Sequence, residues 1–330
     1  ILRVVDAYHF NEDPLRVYRA IQFTARFRLR VEDSTFHVLQ EMVKQGELDH
    51  LPPERITEEW RKLLLKADKP SIGLILMREL GMIEKYYPEL QALIGVAQDP
   101  EWHPEGDVWI HTCMSVDAAA HIIRRESFEM KEKLQVMLGA LCHDLGKAST
   151  TKLAPKQGVM RIRSLGHEEA GVAPTQQFLT HFCFGSEIEH AAIMAAKEHL
   201  KPGMLFRAAE KEMWSEDQYA NTVRKLLKRI YPLSWRVLVA ISEADFRGRT
   251  LPESSAPGYR DGEKLAETVK NYSLDQAPLQ PLLRGEDLME VGIPPGPDMG
   301  RLIQLVEEAR DRGEVKTKEE GLVFIQNVGA

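Results

Sequence analysis

Cysteine is scarce: Cys113, Cys142 and Cys183 are the three in 330 residues. An odd number without a zinc spacing excludes a disulfide framework and a thiolate zinc module. It fits a reducing compartment, so the chain is expected to be cytoplasmic. Long apolar runs are also missing. No stretch approaches the roughly 18 uninterrupted apolar residues of a membrane span, and the N-terminus has no basic-then-apolar export signal, so no membrane partner is expected. Positive charge is not in excess, because 43 Lys and Arg face 50 Asp and Glu for a formal net charge of −7. Such a molecule is not a polycation wrapped on nucleic acid, and any nucleic-acid face must be local. Internal repeats and low-complexity segments are lacking too. What is present is 43% hydrophobic and 28% charged residues over a length that suits two domains, or one large domain with appendages. Residue 1 is Ile, which leads us to expect further chain before it.

Helical periodicity dominates. Leu15, Tyr18, Ile21 and Ala25, and again Leu134, Met137, Leu138 and Leu141, recur at spacings of three and four that place each set on one buried helix face. The fold class is therefore all-α in the main. Val159 to Ser164, after Gly158, is the best period-2 run and is short enough to be a loop or a hairpin arm. Pro70-Ser71 signals a helix start, the loop from Asp99 to Asp107 opens a further stretch, and Pro252, Ser254, Ser255 and Pro257 mark a turn-rich linker. The boundaries expected are 1–70, 71–98, 99–250 and 251–330.

The strongest chemical signal is the doublet His143-Asp144 within Leu141-Cys142-His143-Asp144-Leu145-Gly146-Lys147. Adjacent helical residues point about 100° apart, so both reach one ion only near a helix end, where Gly146 lets the chain turn away. His111 lies upstream; His167, His199 and Asp245 lie downstream. Imidazole and carboxylate without thiolate suit Mg²⁺, Mn²⁺, Fe or Ni rather than structural zinc. Taken singly, each residue is more often a hydrogen-bonded or salt-bridged side chain, the class to which His9, His37, His50, His121, His181 and His190 are assigned.

Taken in order, His111, His143-Asp144 and Asp245 resemble the HD-domain metal-dependent phosphohydrolases, an all-α family in which His…His-Asp…Asp binds a divalent metal. Members with two further histidines hold a second ion, and His167 and His199 lie where those fall. The resemblance implies two ions: His111, His143 and Asp245 on one, His167 and His199 on the other, and Asp144 bridging as a catalytic carboxylate. Lys147 would offer a charge to a phosphate oxygen, or is a solvated helix end.

The first thirty residues hold six arginines against three acids. In Glu12-Asp13-Pro14-Leu15-Arg16, Asp13 and Arg16 are three apart. They form either an intrahelical ion pair or a carboxylate and guanidinium that together read the edge of a base. This segment looks like the neck of the bacterial-type CCA-adding tRNA nucleotidyltransferases and related poly(A) polymerases, whose Glu-Asp-x-x-Arg motif selects CTP or ATP. Asp13 and Arg16, with Arg19 beside them, are the nucleotide-binding residues so implied. Glu54-Arg55-Ile56 with Lys62-Leu63-Leu64, the loop His103 to His111, and Glu243 to Arg249 match further family signatures in the family's order. The architecture implied is a helical neck (1–70), a helical connector (71–98), an HD-type helical bundle (99–250) and a helical C-terminal tail (251–330).

An Asp-x-Asp pair, which nucleotidyl transfer needs on a head domain before the neck, does not occur. Addition of CTP or ATP is therefore expected only with a head domain supplied, whereas the HD stretch is expected to hydrolyse 2′,3′-cyclic phosphates, 2′-nucleotides and phosphomonoesters at a tRNA 3′ end. Arg224, Lys225, Lys228 and Arg229 fall on one helical side in a stretch without acids. They suit phosphate contacts, or are a solvated face, in equal measure. Near the C-terminus, the turn Gly292 to Gly300 precedes an amphipathic stretch ending at Gly313, either a tight turn or a phosphate cradle.

Overall fold

A computed structural model describes residues 1–275, 282–311 and 314–328. The first helices follow the apolar spacing. Leu15–Phe27 starts behind Pro14, whose fixed φ suits a first turn, and ends where Arg28 takes φ 50°. Its buried face includes Leu15, Tyr18, Ile21 and Ala25, none more than 6% exposed. Against it packs Pro53–Lys66, which buries Trp60, Leu63 and Leu64. Ser71–Glu79 fits alongside because Gly73 has no Cβ; one would lie 2.6 Å from Leu63 Cδ1. The hydroxyls of Tyr18 and Tyr87 share a 2.8 Å hydrogen bond, and Trp60 Nε1 donates to Tyr87 at 2.9 Å. These bonds satisfy the polar ends of buried aromatic rings.

Met130–Cys142 runs through the next layer, packed by Val108–Arg125, Ser186–Glu198 and Trp235–Arg247. Leu134, Met137, Leu138 and Leu141 form its buried face, as their spacing requires. Asp107 caps Val108–Arg125 by accepting from Ile110 N at 2.9 Å, and Glu129 with Glu132 forms a capping box on Met130–Cys142. Both starts are thereby set by short-range sequence.

The run Val159–Ser164 is a hairpin arm, paired antiparallel with Thr151–Lys156 from Thr151↔Ser164 to Lys156↔Val159. Gln157 and Gly158, at φ 51° and 80°, form a two-residue turn whose twist matches the strands. It is the one sheet among the described residues, and the fold is otherwise helical, as the periodicity indicates.

Two compact units result, 1–275 and 276–330. Within the first, Arg260–Asn271 packs on Lys201–Glu212, Glu216–Ile230 and Trp235–Arg247, so the chain beyond the Pro252 turn still contributes to that unit. The second gathers Gly285–Glu290, Pro297–Asp311 and Lys318–Val328 around Leu288, Leu302, Val306 and Ile325. Gly292, at φ 89°, makes the turn before the middle helix; Gly313, its expected stop, lies outside the described residues. Among the described residues no helix is long and apolar enough to cross a membrane.

Candidate metal centre

Helix ends supply most of the site. His143 terminates Met130–Cys142 and His199 terminates Ser186–Glu198. The last turn of a helix leaves carbonyls without partners, and each imidazole turns back to satisfy its own helix. His143 Nδ1 donates to Ala140 O at 2.8 Å, and His199 Nδ1 lies 3.1 Å from both Ala195 O and Ala196 O. His167 Nδ1 donates to Ser164 O at 2.8 Å. His111, in the first turn of its helix, donates from Nδ1 to Glu105 Oε1 at 2.7 Å. With Nδ1 engaged as a donor in all four rings, Nε2 is the atom left facing the centre.

Those Nε2 atoms converge on two carboxylates in two groups, His111, His143 and Asp245, and Asp144, His167 and His199, with ligand-type atoms within 4.8 Å of one another in each. Asp144 joins the groups. Its Oδ2 is 3.1 Å from His143 Nε2, while Oδ1 is 3.4 Å from His167 Nε2 and 3.9 Å from His199 Nε2. Asp245 Oδ1 is 3.0 Å from His111 Nε2. All six side chains are buried.

The cluster fits a divalent cation better than it fits itself. His111 and His143 approach to 3.4 Å through Nε2 atoms whose partner nitrogens already donate, so two neutral rings would aim lone pair at lone pair. Asp144 Oδ1 and His167 Nε2 are buried without a hydrogen bond. Burial raises the carboxyl of Asp144, but His143 and Lys147 hold it well below the usual range; for Asp245, Arg249 and His111 do the same against burial. Burial pushes His199 down to about 3, with help from His143, so its imidazole is neutral and able to ligate. Burial would also lower His143, yet Asp144 raises it. Carboxylates that draw a proton onto an imidazole draw a cation equally well.

Lys147 is not a solvated helix end. It is 9% exposed, with Nζ 2.7 Å from Asp144 Oδ2 and 2.9 Å from Gln98 Oε1. Arg249 lies 3.1 Å from Asp245 Oδ2, while Arg247 turns away to Glu243. Both Lys147 and Arg249 reach a cleft of about 260 Å³ over the histidines. Gly146 allows this crowding, because a Cβ there would strike His167 O and come within 2.5 Å of Gly171 N. Sequence reasoning passed over Glu105, whose buried Oε1 also lies 2.8 Å from His103 Nδ1. The spacing Glu105 to His111 has no helical meaning, so the signal was the match of the loop alone.

The neck residues are arranged otherwise. Asp13 and Arg16 do not pair: Asp13 meets Arg55 at 3.2 Å, joining the two neck signatures, and Arg16 donates to His9 O. Asp13 precedes the helix rather than sitting in it, so the i,i+3 geometry does not apply. Arg16 and Arg19 line a separate cavity of about 220 Å³ with Arg3, Phe10 and Phe23. On Glu216–Ile230, Arg229 is committed to buried Glu198, at 2.6 and 2.9 Å, and Arg224 to Asn221.

A family model described as the probable RNA and SrmB-binding site of polymerase A matches residues 28–94. The Multifunctional CCA protein of Acinetobacter baumannii strain AYE is 31% identical over 274 residues, covering 81% of this chain and 61% of that protein. Its counterpart in Acinetobacter baylyi is 28% identical over 291 residues, covering 81% and 65%. The chain thus spans less than two thirds of the length of these curated relatives. Among solved structures, the Thermotoga maritima CCA-adding enzyme complexed with tRNA aligns over 99% of this chain and 64% of that one, with 14% identity and a TM-score of 0.44. By these sequence matches, the chain is similar to the CCA-adding tRNA nucleotidyltransferases and poly(A) polymerases.

Proposed function

We propose that the chain is the neck, HD domain and tail of a tRNA 3′-end processing enzyme, and that the histidine cluster is a binuclear metal centre for phosphoester hydrolysis. The observation that carries this is Asp144, whose two buried oxygens face His143 on one side and His167 on the other, as a bridging carboxylate must. His111, His143 and Asp245 would hold one Mg²⁺, Mn²⁺, Fe or Ni ion, His167 and His199 the other. Two such ions supply Lewis acidity to activate water and neutralise phosphoryl oxygens. The chain's own part is orientation and charge. Four Nδ1 bonds fix the imidazole tautomers. Lys147 and Arg249 reach the cleft as cations that can meet non-bridging phosphate oxygens.

The substrate class best suited is a 2′,3′-cyclic phosphate, a 2′-nucleotide or a phosphomonoester at an RNA 3′ end. Nucleotide addition would require a head domain, with Arg16 and Arg19 at the base, Asp13 bracing the neck through Arg55, and Lys225 offered to tRNA phosphates. The test is metal analysis after Mn²⁺ or Ni²⁺ loading, followed by assay on cyclic-phosphate RNA ends and on guanosine signalling nucleotides. We expect about two ions per chain and hydrolysis of the RNA ends that Asp144→Ala abolishes. A metal-free, inactive protein that still binds tRNA would make this a binding module instead, and faster cleavage of signalling nucleotides would reassign the substrate.

A further inference from the structure

The rim of the cleft carries a feature that hydrolysis of a bare phosphoester does not need. Trp102 is 44% exposed at the edge of the cleft, in a turn closed by Trp102 N and His103 N, which donate to Asp99 O at 3.0 and 2.9 Å. Opposite stands the hairpin Thr151–Lys156 and Val159–Ser164, whose charged residues Lys152, Lys156, Arg161 and Arg163 are all basic. Arg161 ties the two together, reaching Asp99 Oδ2 at 3.1 Å and pairing with Glu101. Lys156 and Arg163 are different. Both line the cleft without an ion pair: Lys156 Nζ rests 5.4 Å from the Trp102 ring centroid, and Arg163 donates to the Pro155 carbonyl at 3.2 Å.

Exposed indole is a stacking face for any base, and a cation resting on it marks the same π surface. Unpaired cations beside it suit the phosphate that joins one nucleotide to the next. We propose that Trp102, Lys156 and Arg163 form a nucleotide-reading subsite, with the terminal base stacked on Trp102 and the adjoining phosphate held by Lys156 and Arg163, so that the site selects the end of a single RNA strand over a free mononucleotide. This rests on the phosphohydrolase reading above. Single strands fit because stacking on Trp102 requires an unpaired base, and the cleft of about 260 Å³ has room for little more than one nucleotide.

The test compares kcat/KM for three substrates on the metal-loaded chain: a short RNA ending in a 2′,3′-cyclic phosphate, the corresponding mononucleoside cyclic phosphate, and glycerol 1,2-cyclic phosphate, which has no base. The wild type is expected to prefer them in that order. Trp102→Ala should shrink the preference for base over no base by about 5- to 150-fold, and Trp102→Phe should keep most of it. Paired Lys156→Ala and Arg163→Ala changes should collapse the preference for the oligonucleotide over the mononucleotide, with an inhibition by salt that weakens in the variant. Stacking is checked separately as quenching of tryptophan fluorescence by oligonucleotide, a signal that Trp102→Ala must reduce at unchanged melting temperature. If the wild type cleaves all three but each variant lowers them equally, the subsite proposal is wrong and the phosphohydrolase reading stands. If the wild type cleaves none, it is that reading which fails, while loss of quenching still decides whether Trp102 binds a base.

Discussion

Asp144 and Glu105 show how much rests on single side chains. Asp144 lies between both histidine groups, so Asp144→Ala should empty both ion sites, whereas His199→Ala should empty one; metal analysis of the loaded proteins reads the difference. A single ion lost from Asp144→Ala would end the bridging assignment. Glu105 acts one step further out. Its carboxylate is held far below the usual range by His103 and His111 against the cost of burial, so it is an ionised acceptor on His111 Nδ1. Glu105→Gln keeps the shape but leaves the amide free to turn an N–H toward that nitrogen. We expect metal affinity to fall about 10- to 100-fold, measured by titration calorimetry, with the ion on the His167 and His199 side retained.

At the scale of elements, the site is assembled from helix ends, and its geometry depends on how closely those ends approach. His143 and His199 are in place because Met130–Cys142 and Ser186–Glu198 pack side by side and stop at one level. Gly146 then lets the following turn lie against the backbone at His167. Gly146→Ala should therefore displace His167 through its own carbonyl. The expected result is a folded protein destabilised by about 1–3 kcal/mol, with its second ion lost, seen together in a melting curve and a metal analysis. Unchanged metal content would show that the turn relaxes without moving the ligand.

For the molecule as a whole, the cleft over the histidines and the neck cavity share no lining residue, and they serve different proposed reactions. Sites without shared partners behave almost independently. With a head domain supplied, Arg16→Ala should weaken the choice between CTP and ATP by about 5- to 150-fold, the worth of a bidentate base contact, and leave cyclic-phosphate hydrolysis near wild type. Arg55→Ala tests the other neck contact. Asp13 and Arg55 are a half-exposed pair, so its loss should cost less than about 1 kcal/mol in a denaturant titration. A larger loss of nucleotide choice than of stability in Arg55→Ala would place Asp13 at the base rather than in a brace.

Much of this is legible in the sequence. Apolar spacing in Leu15 to Ala25 and Leu134 to Leu141 determined helices and their buried faces, because a helix has one period and one side to hide. The order of His111, His143-Asp144, His167, His199 and Asp245 pointed to side chains that the fold brings into one buried cluster, since few chemistries need them together. Pairing was another matter. Asp13 looked toward Arg16 at helical spacing but met Arg55, 42 residues away, because Pro14 starts the helix after it. Arg229, suited by sequence to phosphate or to a solvated face, is drawn to Glu198, and Lys147, open by sequence between a phosphate contact and a solvated helix end, is buried against Asp144. Charges choose partners through space at short range in a low-dielectric interior, and only packing sets which ones arrive there. Local sequence determines which face of each helix is apolar, and the tertiary structure decides which polar groups that burial brings together.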